Sequence, residues 1–387
     1  MESAKSEHLT GNPCDVPEYR RVLVISHEAS RTGASRVAVT LLAVLNELDW
    51  NTTVVHRHGG PLRSELDAVS KATCNEPGWR LRGQLRRLGL GRLACGLENS
   101  AAESLLKRHR PDLVWANTVL TAPYVLAANK LGIPVVWYSH EQAQHTQHVL
   151  RRYKYRKPFR EAELVACSSE ASMALASELG LPVVAITTLH PSIDRASIMQ
   201  RAAYVGHTNK RKITPIVLAV GVGSHAKGVD IFVAAAERAS LLKSNAQWQW
   251  VGKRPASQSG HVEWLGEVSD PVPLMAAASV VVVPSRSEGF PLVVMEAMAA
   301  GTALVCSDLP GIREQLDGTG VLVPPGDDLA LTEGVLMILN DDELRLRLGN
   351  AAQERSTSFS REAFLRDVAS LSDMALSSRK TIDRINP

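Results

Sequence analysis

Two glutamates separated by seven residues flank a tight turn in the second half of the chain. The stretch before them, Val280–Val283, has the continuous hydrophobicity typical of a strand that is buried on both faces. Glu288 lies in the turn that follows. Glu296 lies in a helix that begins near Pro291, because proline is tolerated in the first helical turn, and ends at Gly301, a favourable C-terminal cap. The pattern predicts one carboxylate at a loop tip and the other on the early helix.

The turn and the start of this helix carry groups that bind phosphates and sugars. Backbone N–H groups between Gly289 and Leu292 are predicted to point unpaired into a cleft, which suits a diphosphate. The two carboxylates suit sugar hydroxyls, because a carboxylate accepts hydrogen bonds from neighbouring hydroxyl groups. The alternative is that Glu288 is a solvated loop charge and Glu296 an ordinary surface residue of the helix. The candidate ligands of this segment are Glu288, Gly289, Phe290, Pro291, Leu292 and Glu296.

A glycine-rich loop with one lysine, Gly221–Gly228, follows the first strand of the second half. Its glycines, Gly223 among them, allow a ligand to approach the backbone closely. Lys227 can place a positive charge on a phosphate, whereas the other interpretation is a surface lysine beside a turn. The loop is not a Walker A motif, in which lysine follows glycine and precedes serine or threonine.

The first half offers a small-residue loop and a histidine. Gly33, Ala34 and Ser35 join the first strand to the first helix, so a substrate can approach the start of that helix. The loop lacks the GxGxxG pattern, which argues against a nicotinamide-dependent dehydrogenase. His140 follows the strand Pro134–Tyr138, and the alternative for it is a buried or solvent-facing histidine without a ligand.

Short apolar runs alternate with helical patterns along the whole chain, which predicts two doubly wound parallel sheets. We expect a disordered segment over residues 1–20, a first domain over 21–200, a second over 201–358, and a C-terminal helix with a tail over 359–387. The stretch Ile186–Thr214 is predicted to be the linker between them, and a final helix over about 361–377 is predicted to pack back on the first domain. Two such halves enclose a cleft, and ligands bind at the carboxyl ends of the strands.

Composition narrows the class of protein. The chain has 387 residues, 45% of them apolar, and a net charge of +3, which is too small to indicate a nucleic-acid partner. Its five cysteines are widely spaced and favour a reducing compartment over a disulfide framework or a zinc site. The N-terminus has no signal-peptide core, and no apolar run reaches membrane-spanning length. We therefore expect a cytoplasmic protein.

Two basic stretches allow two interpretations. Arg80–Arg92 contains five arginines among leucines, and Arg151–Arg160 contains six basic residues and three aromatic ones. They form either solvated helix faces or a surface that contacts an anionic lipid or an anionic acceptor. The second interpretation predicts peripheral contact with the inner face of an anionic membrane.

The segment Glu288–Glu296 resembles the Glu-x7-Glu motif of the retaining GT-B glycosyltransferases, in family four of that class (the group 1 glycosyltransferases). The segments that follow it also resemble this family: Ala297–Val305, Asp308–Glu314 and Gly320–Gly326. The resemblance covers about residues 21–355 and is strongest in the C-terminal half.

The resemblance implies the GT-B fold, in which two Rossmann-like domains face a cleft, and transfer of a sugar from a nucleotide-diphosphate donor with retention of configuration and no required metal. It implies that Glu288 contacts the donor sugar, Glu296 the ribose and Lys227 the diphosphate. His140 and Glu141 correspond to the family's pair of a histidine and an acidic residue near the reacting sugar. We assign His140, Lys227 and Glu288 as catalytic. Gly33, Ala34 and Gly223 join the donor-contacting residues, and the acceptor enters beside Gly33 and His140.

One residue departs from the family's pattern. Relatives often carry an arginine just after the first glycine of the Lys-Gly loop, where this chain has Val222. Phosphate charge is then expected to rest on Lys227 or on an arginine from elsewhere. This departure supports the alternative of a degenerate protein that binds a nucleotide sugar without transferring it. A phosphorylase or epimerase is a further alternative, because the same fold hosts such enzymes.

Overall fold

Each half of the chain builds its own parallel sheet. The computed structural model describes residues 20–385 except 31, 77, 142, 153–161, 209–213, 254 and 256–259. The strands of the first sheet are β1 (Arg21–Glu28), β2 (Asn51–His58), β3 (Ala72–Asn75), β4 (Leu113–Asn117), β5 (Val135–Ser139), β6 (Ala162–Ala166) and β7 (Ile186–Thr188). They are ordered β3-β2-β1-β4-β5-β6-β7. Helices connect them: α1 (Gly33–Glu47), α2 (Arg63–Val69), α3 (Trp79–Arg87), α4 (Gly91–His109), α5 (Ala122–Lys130), α6 (Ala143–Arg152) and α7 (Ser169–Leu179).

The second sheet has six strands in the order β10-β9-β8-β11-β12-β13. Its strands are β8 (Ile216–Val220), β9 (Gln247–Val251), β10 (Val262–Gly266), β11 (Val280–Val283), β12 (Leu304–Ser307) and β13 (Val321–Val323). The helices from its side of the chain are α8 (Arg195–Thr208), α9 (Val229–Leu241), α10 (Val272–Ala277), α11 (Leu292–Ala299), α12 (Pro310–Leu316), α13 (Asp328–Leu339), α14 (Asp342–Arg355) and α15 (Arg361–Ile385).

Both sheets confirm the predicted doubly wound α/β class. Every strand pair is parallel, and β4, β5 and β11 are buried along their whole length, as their continuous apolar sequences predict. The strand order reverses between β1 and β4 in the first sheet and between β8 and β11 in the second. Ligands of such sheets bind at the reversal points. The loops that follow β1, β4, β8 and β11 are therefore the ones that form a site.

The predicted linker is wrong, because most of it is regular structure. Ile186 pairs with Leu164 as the last strand of the first sheet. Helix α8 then packs against α10 and α11 of the second half. Prolines and charge near this stretch suggested a loop, but burial of Ile193 and Ile198 outweighs them. The predicted boundary at residue 200 falls within α8, and the basic run 210–212 lies outside the described residues.

The last helix packs back on the first half, as predicted. Helix α15 contacts α1, β4, β5 and β6, and its side chains Phe364, Val368 and Leu371 are buried. The indole N–H of Trp115 donates to Ser372 Oγ at 3.3 Å. The chain thus crosses the cleft twice, which ties the two halves together. Among the described residues, no helix combines the length and apolar character that crossing a bilayer requires.

Candidate functional site

The two halves meet backbone to backbone where the loop after β5 faces the loop after β11. Gly289, in the loop after β11, lies so close to the end of β5 that a Cβ on it would stand 2.5 Å from the carbonyl oxygen of His140. On its other side, a Cβ on Gly311 would collide with the carbonyl of Gly289. Glycine at both positions is what lets these three backbone segments stack.

Lys227 and Glu288 form an ion pair at the floor of the cleft. The Lys227 Nζ lies 2.5 Å from Glu288 Oε1, and Ser285 Oγ donates to the same oxygen at 2.8 Å. The Glu288 side chain is only 9% exposed, whereas that of Lys227 is 36% exposed. The lysine therefore keeps an open face toward solvent, where a phosphate can approach it.

Glycine geometry brings the two loops of this pair together. Gly228 has φ +69° and precedes α9, and a Cβ there would collide with the carbonyl of Pro284. Gly228 thus closes the loop after β8 directly onto the end of β11. The fixed backbone sets the distance between Lys227 and Glu288.

Arg286 fastens the same two loops from outside. Its two terminal nitrogens each lie 2.7 Å from a carboxylate oxygen of Asp230, and its backbone N–H donates to the Ala226 carbonyl at 2.9 Å. The hydrogen bonds from Arg286 lower the pKa of Asp230. Because this guanidinium is engaged with Asp230, its role is to hold the turn that carries Glu288.

The helix start predicted near Pro291 is where the structure places it. Pro291 is the N-terminal flanking residue of α11, and Phe290 before it is buried and stacks on His190 with ring centroids 4.8 Å apart. The backbone N–H groups of Gly289, Phe290 and Leu292 donate to no group in the described part of the chain. These are the donors that a helix N-terminus offers to an anion.

Glu296 does not lie on the helix surface. Its side chain is 5% exposed, and its Oε1 lies 2.6 Å from Nη2 of Arg36, which comes from the first turn of α1. Arg36 itself is 45% exposed. The pair therefore joins the two halves across the cleft at the point where Glu296 was expected to face the ligand.

His140 is a neutral residue with a defined tautomer. Asn117 donates from Nδ2 to the Ala34 carbonyl at 2.8 Å, which leaves its Oδ1 as an acceptor. His140 Nε2 lies 2.7 Å from that Oδ1 and must carry the ring proton, so Nδ1 is the unprotonated nitrogen. Burial lowers the pKa of His140 to about 3. The ring can accept a hydrogen bond through Nδ1 but does not act as an acid near neutral pH.

Glu141 is directed inward and accepts hydrogen bonds from backbone N–H groups. Its carboxylate accepts from the N–H of Val119 at 3.1 Å and from the N–H of His140 at 2.9 Å. Burial raises its pKa, and these hydrogen bonds oppose that effect. Glu141 thus fixes the loop that presents His140.

The predicted glycines occupy different environments. A Cβ on Gly33 would meet no atom of the described residues within 4 Å. A Cβ on Gly223 would strike the carbonyl of Lys253, so this glycine is needed for contact with a neighbouring loop. Val222 is 58% exposed.

Three site residues were missed by sequence reasoning: Arg36, Asn117 and Arg286. Asn117 had a usable signal, since it is the last residue of a buried strand at a reversal point. The signals for Arg36, after the small-residue loop, and for Arg286, in the turn that carries Glu288, were weaker, because a charged side chain at such a position is normally solvated. Their roles depend on partners distant in sequence, Glu296 and Asp230.

The basic stretch Arg80–Arg92 is not simply a solvated face. Arg82 is buried and donates to Glu76 Oε1 at 2.6 Å, and Arg86 Nη2 lies 2.5 Å from Glu98 Oε2. The remaining arginines of this stretch are exposed. Most of the second basic stretch, 153–160, lies outside the described residues. Within the described ranges, no three His, Cys, Asp or Glu side chains are grouped to hold a metal ion.

Family models match both halves of the chain. The model described as "Glycosyl transferases group 1" matches residues 214–341, which contain Lys227, Glu288 and Glu296. The model described as "Glycosyltransferase Family 4" matches residues 31–197, which contain Arg36, Asn117 and His140.

Individual relatives match different shares of the chain. An N,N'-diacetylbacillosaminyl-diphospho-undecaprenol alpha-1,3-N-acetylgalactosaminyltransferase of Campylobacter jejuni is 37% identical over 36% of this chain and 40% of its own length. A glycogen synthase of Mycobacterium tuberculosis is 29% identical over 64% of this chain and 65% of its own length. The chain thus spans less than two thirds of each of these relatives.

The fold recurs in solved structures. The Anabaena protein Alr3699/HepE, in complex with UDP and glucose, superimposes with a TM-score of 0.71 at 18% identity, covering 91% of this chain and 99% of that one. The lipopolysaccharide glycosyltransferase WaaG superimposes with a TM-score of 0.69 at 15% identity, covering 91% and 99%. Both likenesses concern the fold, which is GT-B.

Proposed function

We propose that this chain, which belongs to the group 1 glycosyltransferases, transfers a sugar from a nucleotide-diphosphate donor to a hydroxyl-bearing acceptor. The observation that carries the proposal is the convergence of Lys227, Glu288 and the free N-terminus of α11 at the reversal point of the second sheet. A cation and unpaired backbone N–H groups suit a diphosphate, and a shielded carboxylate beside them suits sugar hydroxyls.

In the proposed reaction, the acceptor oxygen bonds to the anomeric carbon as the bond from that carbon to the β-phosphate oxygen breaks. The hydroxyl proton leaves with the nucleoside diphosphate, so charge and atoms balance. Negative charge builds on the leaving oxygen, and Lys227 with the α11 N-terminus stabilises it electrostatically. Retention of configuration and independence of metal ions are proposals that rest on the resemblance of the Glu288–Glu296 segment to its family.

The first half of the chain forms the side of the proposed site that faces the donor-binding loops. His140 offers Nδ1 as a hydrogen-bond acceptor. The contact between its carbonyl and Gly289 holds this side of the cleft against the loop that carries the proposed donor site. A closed arrangement of this kind excludes water and favours transfer over hydrolysis of the donor. The acceptor enters beside Gly33, where an added Cβ would meet no atom of the described residues within 4 Å.

The relatives favour a class of donor and acceptor. The Anabaena structure holds UDP and glucose, and the Campylobacter relative is named for a substrate carried on diphospho-undecaprenol. We propose a uridine diphosphate sugar as the donor and a lipid-linked sugar as the acceptor.

A surface on the first half suits a lipid-bound acceptor. Five leucines on α3, on the start of α4 and in the connection between the two helices are exposed, and no Asp or Glu occurs between positions 77 and 97. We define the leucine–arginine surface as Leu81, Leu88, Leu90, Leu93 and Leu97 with the exposed Arg80, Arg87 and Arg92. Leucines insert among acyl chains while arginines meet anionic headgroups, and helix α3 starts at the ligand-binding edge of the sheet. We propose that this surface contacts an anionic membrane from the cytoplasmic side.

Co-sedimentation with vesicles tests the membrane contact. We expect binding to vesicles of phosphatidylglycerol and phosphatidylcholine, and little binding to phosphatidylcholine alone. Arg87→Glu with Arg92→Glu, and separately Leu88→Gln with Leu90→Gln, should abolish it. The matched control is Leu241→Gln with Leu242→Gln, which removes two exposed leucines of the second half. Binding that survives both surface variants contradicts the proposal.

A donor screen tests the enzymatic proposal. Thermal shift with UDP-, GDP-, ADP- and TDP-sugars identifies the donor, because a ligand that binds the folded state raises its stability. Release of nucleoside diphosphate in the presence of acceptor, or slowly to water, is then the expected turnover. Binding without turnover supports the degenerate alternative. Release of a sugar phosphate supports a phosphorylase.

A further inference from the structure

Arg36 and Glu296 form an ion pair in which the two partners have opposite environments. The Glu296 carboxylate is almost fully shielded, whereas nearly half of the Arg36 side chain is open to solvent. A buried carboxylate is costly without a partner, so this one needs either a cation or hydrogen-bond donors at all times. If the Glu296 carboxylate binds hydroxyls of a donor, Arg36 must give up some or all of this contact.

The neighbouring cations differ in how they are engaged. Arg286 is held bidentately by Asp230, and Lys227 shares its charge with Glu288. A diphosphate brings more negative charge than one shared lysine offsets. Arg36 becomes available to the diphosphate when ribose hydroxyls replace it as the hydrogen-bond donors to the Glu296 carboxylate.

The geometry also allows the exchange. Glu296 lies four residues from the first residue of α11, which is about one helical turn. A guanidinium that leaves Glu296 therefore needs to swing by roughly one turn, about 5 Å, to meet an anion at the helix N-terminus. Its planar fork is suited to two phosphate oxygens at once.

We propose that Arg36 is a donor-phosphate ligand supplied by the first half of the chain, which exchanges Glu296 for the diphosphate when the donor binds. Before binding, the residue holds the two halves together and keeps Glu296 neutralised. After binding, it joins Lys227 on the leaving group. This inference rests on the proposed function and names a further residue of the same site.

The proposal makes an unusual prediction about affinity. Arg36→Gln removes a phosphate ligand and, at the same time, a competitor for Glu296. Binding of UDP should weaken about 10- to 100-fold, as expected for loss of charge-assisted hydrogen bonds. Binding of uridine, which has ribose but no phosphate, should stay unchanged or tighten. A residue that only holds the halves together would weaken both ligands.

Calorimetric titration of the full chain with UDP, UMP and uridine makes the comparison. Arg36→Lys should recover only part of the UDP affinity, because an ammonium lacks the fork. Lys253→Gln serves as a matched control, since Lys253 is exposed in the loop that packs on Gly223. If Lys253→Gln weakens UDP and Arg36→Gln does not, the proposed phosphate ligand is wrong.

The outcomes separate this inference from the proposed function. Wild-type protein that binds no nucleoside diphosphate overturns both. Wild-type binding that Arg36→Gln leaves intact overturns the inference alone. An equal loss of UDP and uridine binding in Arg36→Gln, with an unchanged melting temperature, also overturns it.

Discussion

The backbone of Gly289 rests against the carbonyl group of His140, and a single added carbon on the glycine would stand 2.5 Å from that oxygen. Gly289 belongs to the donor side of the cleft and His140 to the opposite half. The closeness of the two halves, and with it the shape of the site, therefore depends on a residue without a side chain. This contact is a direct target for mutation.

Gly289→Ala should push the halves apart while leaving each half folded. The methyl group cannot coexist with the His140 carbonyl, so either the cleft opens or both loops shift. A misplacement of about 1 Å at a reacting centre costs roughly 100-fold in rate, and we expect a loss of kcat of that order. Steady-state kinetics and small-angle scattering report the two effects.

Gly59→Ala is the control for that change, since a Cβ at Gly59 meets no atom of the described part of the chain within 4 Å. It should leave kcat and the scattering profile as in the wild type. A Gly289→Ala protein with full activity would show that the contact is dispensable.

Lys227→Gln should lower kcat strongly and the free energy of unfolding only slightly. The amide cannot offset charge on the leaving phosphate, and removal of one preorganised electrostatic group typically costs 10²- to 10³-fold in kcat. Glu288 keeps its hydrogen bond from Ser285, which limits the loss of stability. The exposed Lys243, at the far end of α9, provides Lys243→Gln as a matched control. Equal kcat in the two variants would remove Lys227 from the site.

The sequence carried enough information for the fold and for the floor of the site. Strands such as β4 and β5 can be predicted from their continuous apolar sequences, because both of their faces are buried. Gly228 and Pro291 mark the ends of the loops that follow β8 and β11. Glu288 and Lys227 lie in those loops, so their convergence follows from the order of the strands. The roles assigned to individual side chains stay predictions until they are measured.

Contacts between the halves could not be predicted in the same way. Arg36 and Glu296 are 260 positions apart, and only the closed cleft brings them together. The misread linker has a similar cause. Residues Ile186 and Ile198 are ordered by packing on β6 and on the second half, which outweighs the loop-like composition around Pro191.

Phe364→Ala should destabilise the protein by about 3–5 kcal/mol, the usual cost of removing a buried phenylalanine. Phe364 lies in the part of α15 that packs on the first half and is 2% exposed. Met374→Ala, on the exposed side of the same helix, should change the free energy of unfolding by less than about 0.5 kcal/mol. Chemical denaturation measures both. Similar values for the two variants would mean that α15 is not anchored as described.

His140 should make the folded state sensitive to mild acid. Burial lowers its pKa to about 3 in the folded protein, against an ordinary value of 6.5. Between these values the unfolded chain binds a proton that the folded protein does not, so stability falls as the pH drops below 6.5. From pH 7 to pH 5 the loss of folding free energy from this residue alone is about 2 kcal/mol.

His140→Gln should therefore show a shallower pH dependence of the free energy of unfolding than the wild type, by about that amount. Identical slopes in the two proteins would mean that His140 titrates normally, and the neutral ring with an unprotonated Nδ1 would have to be abandoned.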